Sequence, residues 1–182
     1  MNAALFFVIK TLLDLYLIAY ILRFLLQWAR ADFHNPLSQF VLRITDPVVR
    51  PLRRVIPGWR GIDLSSLVAL LLLQLVVTAI LFFLAAAGTL GPGMLLYYAV
   101  LRIIVGVVRL YFFAILVHVV LSWVSPGHWN PLISVLHSLT GPVLRPVRRV
   151  IPPIGGLDLS PLFVLIGLQA LLIMIRLPGY LA

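Results

Sequence analysis

The sequence predicts an all-α membrane protein with four transmembrane helices, arranged as two tandem helix–amphipathic basic loop–helix repeats. The first observation is composition: 63% of the 182 residues are hydrophobic and 10% are charged, against roughly half and one quarter in soluble domains. Second, several apolar runs reach the roughly 20 residues that cross a hydrocarbon core about 30 Å thick. Third, most of the arginines fall in two segments between these runs, which is typical of cytoplasmic loops.

The chain divides into two copies joined by a linker. The predicted spans cover residues 4–28, 65–87, 99–124 and 160–178. Residues 88–98 are rich in Gly and form the predicted linker, so residues 1–87 are the first copy and residues 99–182 the second. The first span lacks a basic leading segment and is interrupted by Lys10 and Asp14, which favours a retained helix over a signal peptide.

An internal repeat supports this division. Residues 16–74 align with residues 111–169 at a constant offset of 95 without a gap. About two dozen of roughly sixty aligned positions are identical, and the longest match pairs residues 50–57 with residues 145–152. Because each copy crosses the membrane twice, both insert with the same orientation, and we expect a pseudo-twofold axis along the membrane normal.

Charge sets the predicted orientation. The two loops carry nine arginines and the linker carries none, so we expect both loops in the cytoplasm and both termini outside. The same loops explain the formal net charge of +9 without a nucleic-acid partner. The chain has no cysteine, which excludes disulfides and thiolate metal sites, and we expect no cofactor and no metal.

Each basic loop is predicted to begin with a short amphipathic helix. Asn35 and Asn130, each followed by proline, are helix-start signals, because Asn caps free amides and proline at the first position needs no N–H. Apolar residues then recur at i, i+3, i+4 and i+7, so a stripe is expected to face the acyl chains. The stripe consists of Leu37, Phe40, Val41 and Ile44, and of Leu132, Val135, Leu136 and Leu139. Pro51 and Pro146 argue against a regular helix further on.

The arginines of the two loops form the predicted binding site for lipid headgroups or a partner. They are Arg50, Arg53, Arg54, Arg145, Arg148 and Arg149. Guanidinium forks fit phosphate oxygens, and a basic residue near an anionic surface contributes about 1 kcal/mol. The alternative is that these arginines only fix topology. Asp63 and Asp158 are expected to pair with them, and Ser65 and Ser160 to cap the helices that follow.

Ionisable and amide side chains inside the membrane are costly, so each needs a partner. They are Lys10, Asp14, Arg23, Gln74, Arg102, Arg109, His118 and Gln169. The equivalence of Asp14 and Arg109 predicts a bridge between the first and third spans, with a local Lys10–Asp14 pair as the alternative. The equivalent Gln74 and Gln169 are predicted to hydrogen-bond across the interface between the copies.

The chain offers little for catalysis. It has no Cys and no Glu, its five Asp are scattered, and no serine lies in a nucleophile-elbow or P-loop context. Arg23 is expected to snorkel to the interface. His118 is a weak candidate for a haem or metal ligand, because no second histidine follows at ligand spacing on that helix. We therefore predict a non-enzyme.

The repeated motif resembles that of the YggT/YlmG family of membrane proteins, in its two-copy, Gram-negative form. In the first copy it comprises Trp28, Asn35-Pro36, Pro47-x-x-Arg50-Pro51-x-Arg53-Arg54-x-Ile56-Pro57, Asp63-Leu64-Ser65 and Gln74. The second copy repeats the motif at the constant offset, and together the copies cover nearly the whole chain. One departure is Gly141, which stands where the first copy has Asp46.

This resemblance implies a multi-pass protein of the bacterial inner membrane with periplasmic termini. Bacterial relatives are linked to osmotic-shock tolerance or to cell division, and plastid relatives to cytochrome assembly. We expect a non-catalytic protein whose basic loops contact the lipid bilayer, chiefly anionic phospholipid headgroups. A second copy of the chain and other membrane proteins are further expected partners. The alternatives are a small cation transporter or channel subunit, or an assembly factor for a membrane haem protein.

Overall fold

The computed structural model describes residues 2–58, 63–85, 90–124, 130–151 and 158–181. These residues form helices joined by short connections, without a strand in the described ranges. The helices are α1 (Ala3–Trp28), α2 (Pro36–Val55), α3 (Leu64–Leu84), α4 (Pro92–Val124), α5 (Pro131–Val150) and α6 (Ser160–Met174). The predicted all-α class is confirmed.

Three helices are long and apolar enough to cross a membrane: α1, α3 and α4, with 26, 21 and 33 residues. At 1.5 Å per residue they measure about 31 to 50 Å. The fourth apolar helix, α6, has 15 residues and measures about 22 Å. It ends at Met174 instead of residue 178, because Pro178 disfavours helical backbone at the residue before it. Helix α4 begins at Pro92 and so contains most of the predicted linker 88–98.

The basic loops are more helical than predicted. Helix α2 continues without a break through Pro47 and Pro51, and α5 continues through Pro142 and Pro146. The expected interruption is therefore wrong. In α2 both prolines lie on the exposed side, where the carbonyl groups that lose their N–H partner can be hydrated.

The two copies share their internal packing but meet asymmetrically. Helix α1 packs against α2 and α3, and α4 packs in the same way against α5 and α6. Between the copies, α4 packs against α3 and α1, and α2 contacts α5. A closed twofold would also place α6 against α1, but no described Cα atoms of these two helices lie within 8 Å of each other. The expected pseudo-twofold relation is therefore wrong, because the repeat determines packing within a copy and not between copies.

The core lies where α1, α3 and α4 meet. Its buried residues include Leu17, Tyr20, Ile21, Leu70, Val77, Leu81, Tyr111 and Ala114. Gly106 allows α4 to approach α1 closely, since a Cβ atom there would lie 2.6 Å from Cδ1 of Ile21. Small residues at contacts between membrane helices permit this approach. The contact marks the level at which α4 passes α1.

Candidate functional site

The two basic helices begin side by side. Asn35 caps α2 by accepting a hydrogen bond from the Leu37 amide at 2.9 Å, and Asn130 caps α5 in the same way through Leu132 at 2.9 Å. The side-chain amide of Asn35 also donates to the Pro131 carbonyl at 2.8 Å. The predicted helix starts are confirmed, and the first cap joins the copies.

The apolar stripes of α2 and α5 meet at the space between the copies, and their contact with acyl chains stays a prediction. All eight stripe residues line a cavity that is open on one side and bounded mainly by α1, α2, α4 and α5. In α2, Val41 is buried while Phe40 keeps 61% of its surface exposed at the cavity. Part of each stripe therefore packs against the membrane helices, and part borders the space between the copies, because α2 and α5 lie beneath a gap between α1 and α4.

The six arginines predicted as the binding site fall into two groups. Arg53 pairs with Asp63, and its counterpart Arg148 pairs with Asp158 at 2.7 Å, so the predicted pairing is confirmed in both copies. Arg50 pairs with Asp46 at 2.9 Å. The second group is exposed and has no carboxylate partner among the described residues: Arg54, Arg145 and Arg149.

The serines after each basic loop act differently from the prediction. Asp63, not Ser65, caps α3, because its carboxylate accepts from the Ser66 amide at 3.3 Å. Ser65 instead donates to the Ile56 carbonyl at 2.6 Å, and Ser160 donates to the Ile151 carbonyl at 3.4 Å. These hydroxyls fix the end of each basic helix to the start of the membrane helix that follows.

The loop carboxylates are held in their ionised form. Burial alone would raise the pKa of Asp63, but hydrogen bonds from Ser66 and the charge of Arg53 outweigh it and lower the pKa. The pKa of Asp158 is lowered for the same reasons, with Ser160 and Arg148 opposing desolvation. Both acids therefore neutralise one arginine each at ordinary pH.

Arg23 does not snorkel to the membrane surface. Its side chain is 2% exposed and donates to Ser66 at 3.1 Å, Thr45 at 2.7 Å and Asp46 at 2.8 Å. One guanidinium thus joins α1, α2 and α3. The sequence signal for this role was the acid at position 46 of the basic loop, which could neutralise a buried arginine.

His118 occupies the equivalent position in the second copy. Its Nδ1 atom lies 3.0 Å from the hydroxyl of Thr140, and its ring lies 6.1 Å from that of His137 between centroids. Sequence spacing missed His137 because it lies on α5. Within the described residues no group of three or more potential metal ligands is found.

The predicted pairings inside the membrane are replaced by others. Asp14 binds Arg102 at 2.5 Å and Lys10 at 3.0 Å, so the predicted Asp14–Arg109 bridge is wrong and the local alternative is confirmed. Where Ile21 meets Gly106, the shift of α4 leaves Arg102 about one turn from the level of Asp14, and Arg109 about three turns from it.

The expected contact between the two glutamines is also wrong. Gln74 is buried and donates to Thr78 of its own helix at 3.3 Å, and Arg102 approaches the same hydroxyl at 3.5 Å. Gln169 is exposed on α6. The glutamines do not meet because α3 contacts the other copy through α4.

Comparison with known proteins gives a consistent assignment. The CCB3/YggT family profile matches residues 2–84 and again residues 97–178. An uncharacterized protein of Pseudomonas aeruginosa is 43% identical over 170 residues, which cover 93% of this chain and 86% of the relative. The Escherichia coli protein YggT is 39% identical over 166 residues, covering 91% and 85%. The ycf19 protein of Guillardia theta is 33% identical over 70 residues, covering 37% and 76%.

No solved structure matches the chain. The two matches of the family profile and the full-length relatives agree with the helical membrane architecture. The chain therefore belongs to the CCB3/YggT family.

Proposed function

We propose that the chain is a non-catalytic protein of the bacterial inner membrane whose helices α2 and α5 bind anionic phospholipid headgroups at the cytoplasmic face. The observation that carries the proposal is the group of exposed arginines without acidic partners: Arg54, Arg145 and Arg149. Through this contact the protein supports tolerance of osmotic stress or the organisation of the membrane during division.

The two helices present these arginines on a rigid base. Each begins at an asparagine that caps the helix. Each is fixed at its end by a serine and an Arg–Asp pair. Arg54 and Arg149 are equivalent and lie in the last turn of their helices. The fixed helices set where the side chains start, and a planar guanidinium loses less freedom per hydrogen bond to a phosphate than an ammonium does. The arrangement favours a headgroup site over a topology signal alone.

The polar side chains inside the membrane support a static role over transport. Lys10 and Arg102 both bind Asp14, and Gln74 is bonded to Thr78. Groups that are already satisfied contribute to packing, and the remaining cation beside them, Arg109, would repel a cation that entered the same space. Potassium flux through reconstituted vesicles above that of empty vesicles would favour the transporter alternative.

The headgroup site is tested with the full chain in detergent, titrated with phosphatidylglycerol or phosphatidylcholine. A ligand that binds only the folded state raises the melting temperature. We expect a larger rise with phosphatidylglycerol, lost when Arg54, Arg145 and Arg149 are replaced by glutamine and weakened when they are replaced by lysine. Arg43→Gln is the matched control for position, because Arg43 is an exposed arginine of the same helix but lies about three turns before Arg54, and its counterpart is Ser138. An equal loss at Arg43 would show that any exposed arginine of α2 serves. Lysine variants that equal the parent would reduce the arginines to topology signals.

The proposed orientation has its own test. A reporter fused after Pro57 is expected to be active only in the cytoplasm, since this loop carries six of the chain's 14 basic residues. Activity of this fusion in the periplasm would invert the topology and remove the headgroup site from the cytoplasmic face. Growth after osmotic shock of cells that carry the glutamine variants tests the physiological part.

A further inference from the structure

A cavity of about 650 Å³ lies between the copies. Helices α1 and α4 form its walls, and the stripes of α2 and α5 form its floor. Nearly all lining side chains are apolar, and the polar ones are Asp14, Gln74, Arg102 and Arg109. The volume is within the range of binding sites for small molecules, roughly 300 to 1,000 Å³.

Arg109 is the charged group of this cavity that the chain does not neutralise. It is exposed at the cavity wall near the middle of α4. The sequence holds five acidic residues, and each of them pairs with another residue in the described structure. The nearest acid in the cavity, Asp14, is bound by Lys10 and Arg102. No side-chain carboxylate remains for Arg109.

We propose that this cavity binds a long-chain carboxylic acid of the membrane, with its chain along the apolar walls and its carboxylate on the guanidinium of Arg109. A guanidinium at membrane depth is stabilised by an anion that can reach it. A carboxylate can accept two parallel hydrogen bonds from the guanidinium. This site is separate from the exposed arginines of α2 and α5.

The depth of Arg109 selects a single-chain acid over a phospholipid. It lies 17 residues after the first residue of α4 and 15 residues before the last, which places it about 26 Å from the start and about 22 Å from the end of the helix. A phospholipid phosphate remains in the headgroup region outside the hydrocarbon core. A fatty acid can enter the core in its neutral form and ionise beside the arginine.

The apolar walls alone give little selectivity. Lipid tails are as apolar as the leucines of the cavity, so moving a chain from the bilayer into it gains little from hydrophobic burial. The charge pair therefore decides which amphiphile binds. An alcohol of the same chain length fits the walls equally well and lacks the carboxylate.

The test uses the full chain in detergent and native mass spectrometry with palmitic acid, hexadecanol and phosphatidylglycerol as probes. We expect palmitate to bind at least about tenfold more tightly than hexadecanol, and Arg109→Gln to remove that difference. Arg54→Gln, outside the cavity, is the control and keeps palmitate binding while weakening the response to phosphatidylglycerol. The two sites therefore fail independently.

A second variant guards against misfolding of the first. Val117→Trp places a large side chain in the cavity wall and is expected to exclude palmitate while the helical circular dichroism is unchanged. Palmitate binding that survives both Arg109→Gln and Val117→Trp would overturn the proposal. Phosphatidylglycerol binding that depends on Arg109 would overturn the choice of a single-chain acid.

Discussion

The two copies hold their basic helices through equivalent threonines, but the partner of the threonine is an ionic network in one copy and a histidine in the other. In the first copy, Thr45 donates to the Val41 carbonyl at 2.7 Å and accepts from the buried Arg23. In the second, Thr140 donates to the Leu136 carbonyl at 2.8 Å and meets His118. The threonine hydroxyl is thus bonded to a charged network in the first copy and to an imidazole in the second.

The differences between the copies are coordinated. Arg23, Asp46 and Ser66 of the first copy correspond to His118, Gly141 and Pro161 of the second. Removing one partner of a buried ion pair leaves an uncompensated charge, which costs about 3 to 5 kcal/mol. The second copy has neither the arginine, nor its acid, nor its hydroxyl at these positions, so that no charge is left alone. The comparison indicates that the arginine, the acid and the hydroxyl of the first copy depend on one another.

The largest expected effect comes from removing the buried arginine. Arg23→Leu should lower the free energy of unfolding by about 3 to 5 kcal/mol, because it removes three hydrogen bonds of a buried guanidinium, each about 1.5 to 3 kcal/mol, although Asp46 keeps its pair with Arg50. His118→Leu should cost about 1 kcal/mol, since one hydrogen bond is lost. Denaturation with sodium dodecyl sulfate, followed by circular dichroism, measures both.

A graft of the second copy into the first sharpens this comparison. Arg23→His combined with Asp46→Gly removes both charges, so the double variant should lose less stability than the two single variants added together. Equal losses from Arg23→Leu and His118→Leu would show that the charge of Arg23 does not distinguish the copies.

The second effect concerns Asp14, whose counterpart in the other copy is Arg109. Asp14→Asn and Arg102→Gln should each cost about 1 to 3 kcal/mol, the range for hydrogen bonds to charged groups. The double variant should lose no more than one single variant, because the partners are in contact. Arg109→Gln in combination with Asp14→Asn should give additive changes in the unfolding free energy. Coupling of Asp14 to Arg109 would restore the pairing predicted from the repeat.

The sequence predicted the helices better than the contacts between them. Composition and arginine placement are sufficient for the membrane class, and Asn35 and Asn130 located the basic helices because capping is a local property. The predicted Asp14–Arg109 bridge is wrong, because two equivalent positions meet only where both lie near a twofold axis that relates the copies. The shift of α4 at Gly106 depends on packing between the copies, and no repeat pattern encodes it.

The burial of Arg23 was missed for a related reason. An arginine near the end of a membrane helix usually extends to the interface. The sequence alone does not show that α2 places Asp46 beside Arg23 of α1. The candidate arginines were found as a set, but their division into paired and unpaired members follows from Asp46, Asp63 and Asp158 in three dimensions.

The third effect is the response of the two loop acids to pH. The pKa of Asp63 is lowered from the ordinary value of 3.8, so its contribution is complete above about pH 3.8 and is lost as the pH falls through the folded value. Asp63→Asn should cost up to about 1 kcal/mol at neutral pH through the lost charge pair with Arg53, since the amide oxygen can still cap α3. Thermal melting between pH 3 and pH 7 measures the loss.

Asp158 is the matched comparison for Asp63. Its side chain is 34% exposed, against 3% for Asp63, so solvent weakens its pair with Arg148 and Asp158→Asn should change stability less. A stability profile that stays flat on acidification in the parent would show that neither pair contributes to folding.

The smallest effect separates the two glutamines. Gln74 is 2% exposed and bonded to Thr78, whereas Gln169 is exposed on the outer side of α6. Hydrogen bonds between side chains in membrane proteins contribute about 0.6 kcal/mol on average, so Gln74→Leu should lower the unfolding free energy by about that amount. Gln169→Leu should leave stability unchanged or raise it, because an amide that faces lipid gains from replacement by an apolar group. Both variants are compared by denaturation in the same detergent, with Leu168→Ala as the control for packing around α6. A loss at Gln169 as large as the loss at Gln74 would mean that the amide on α6 has a partner, and that the second copy repeats the polar contact of the first.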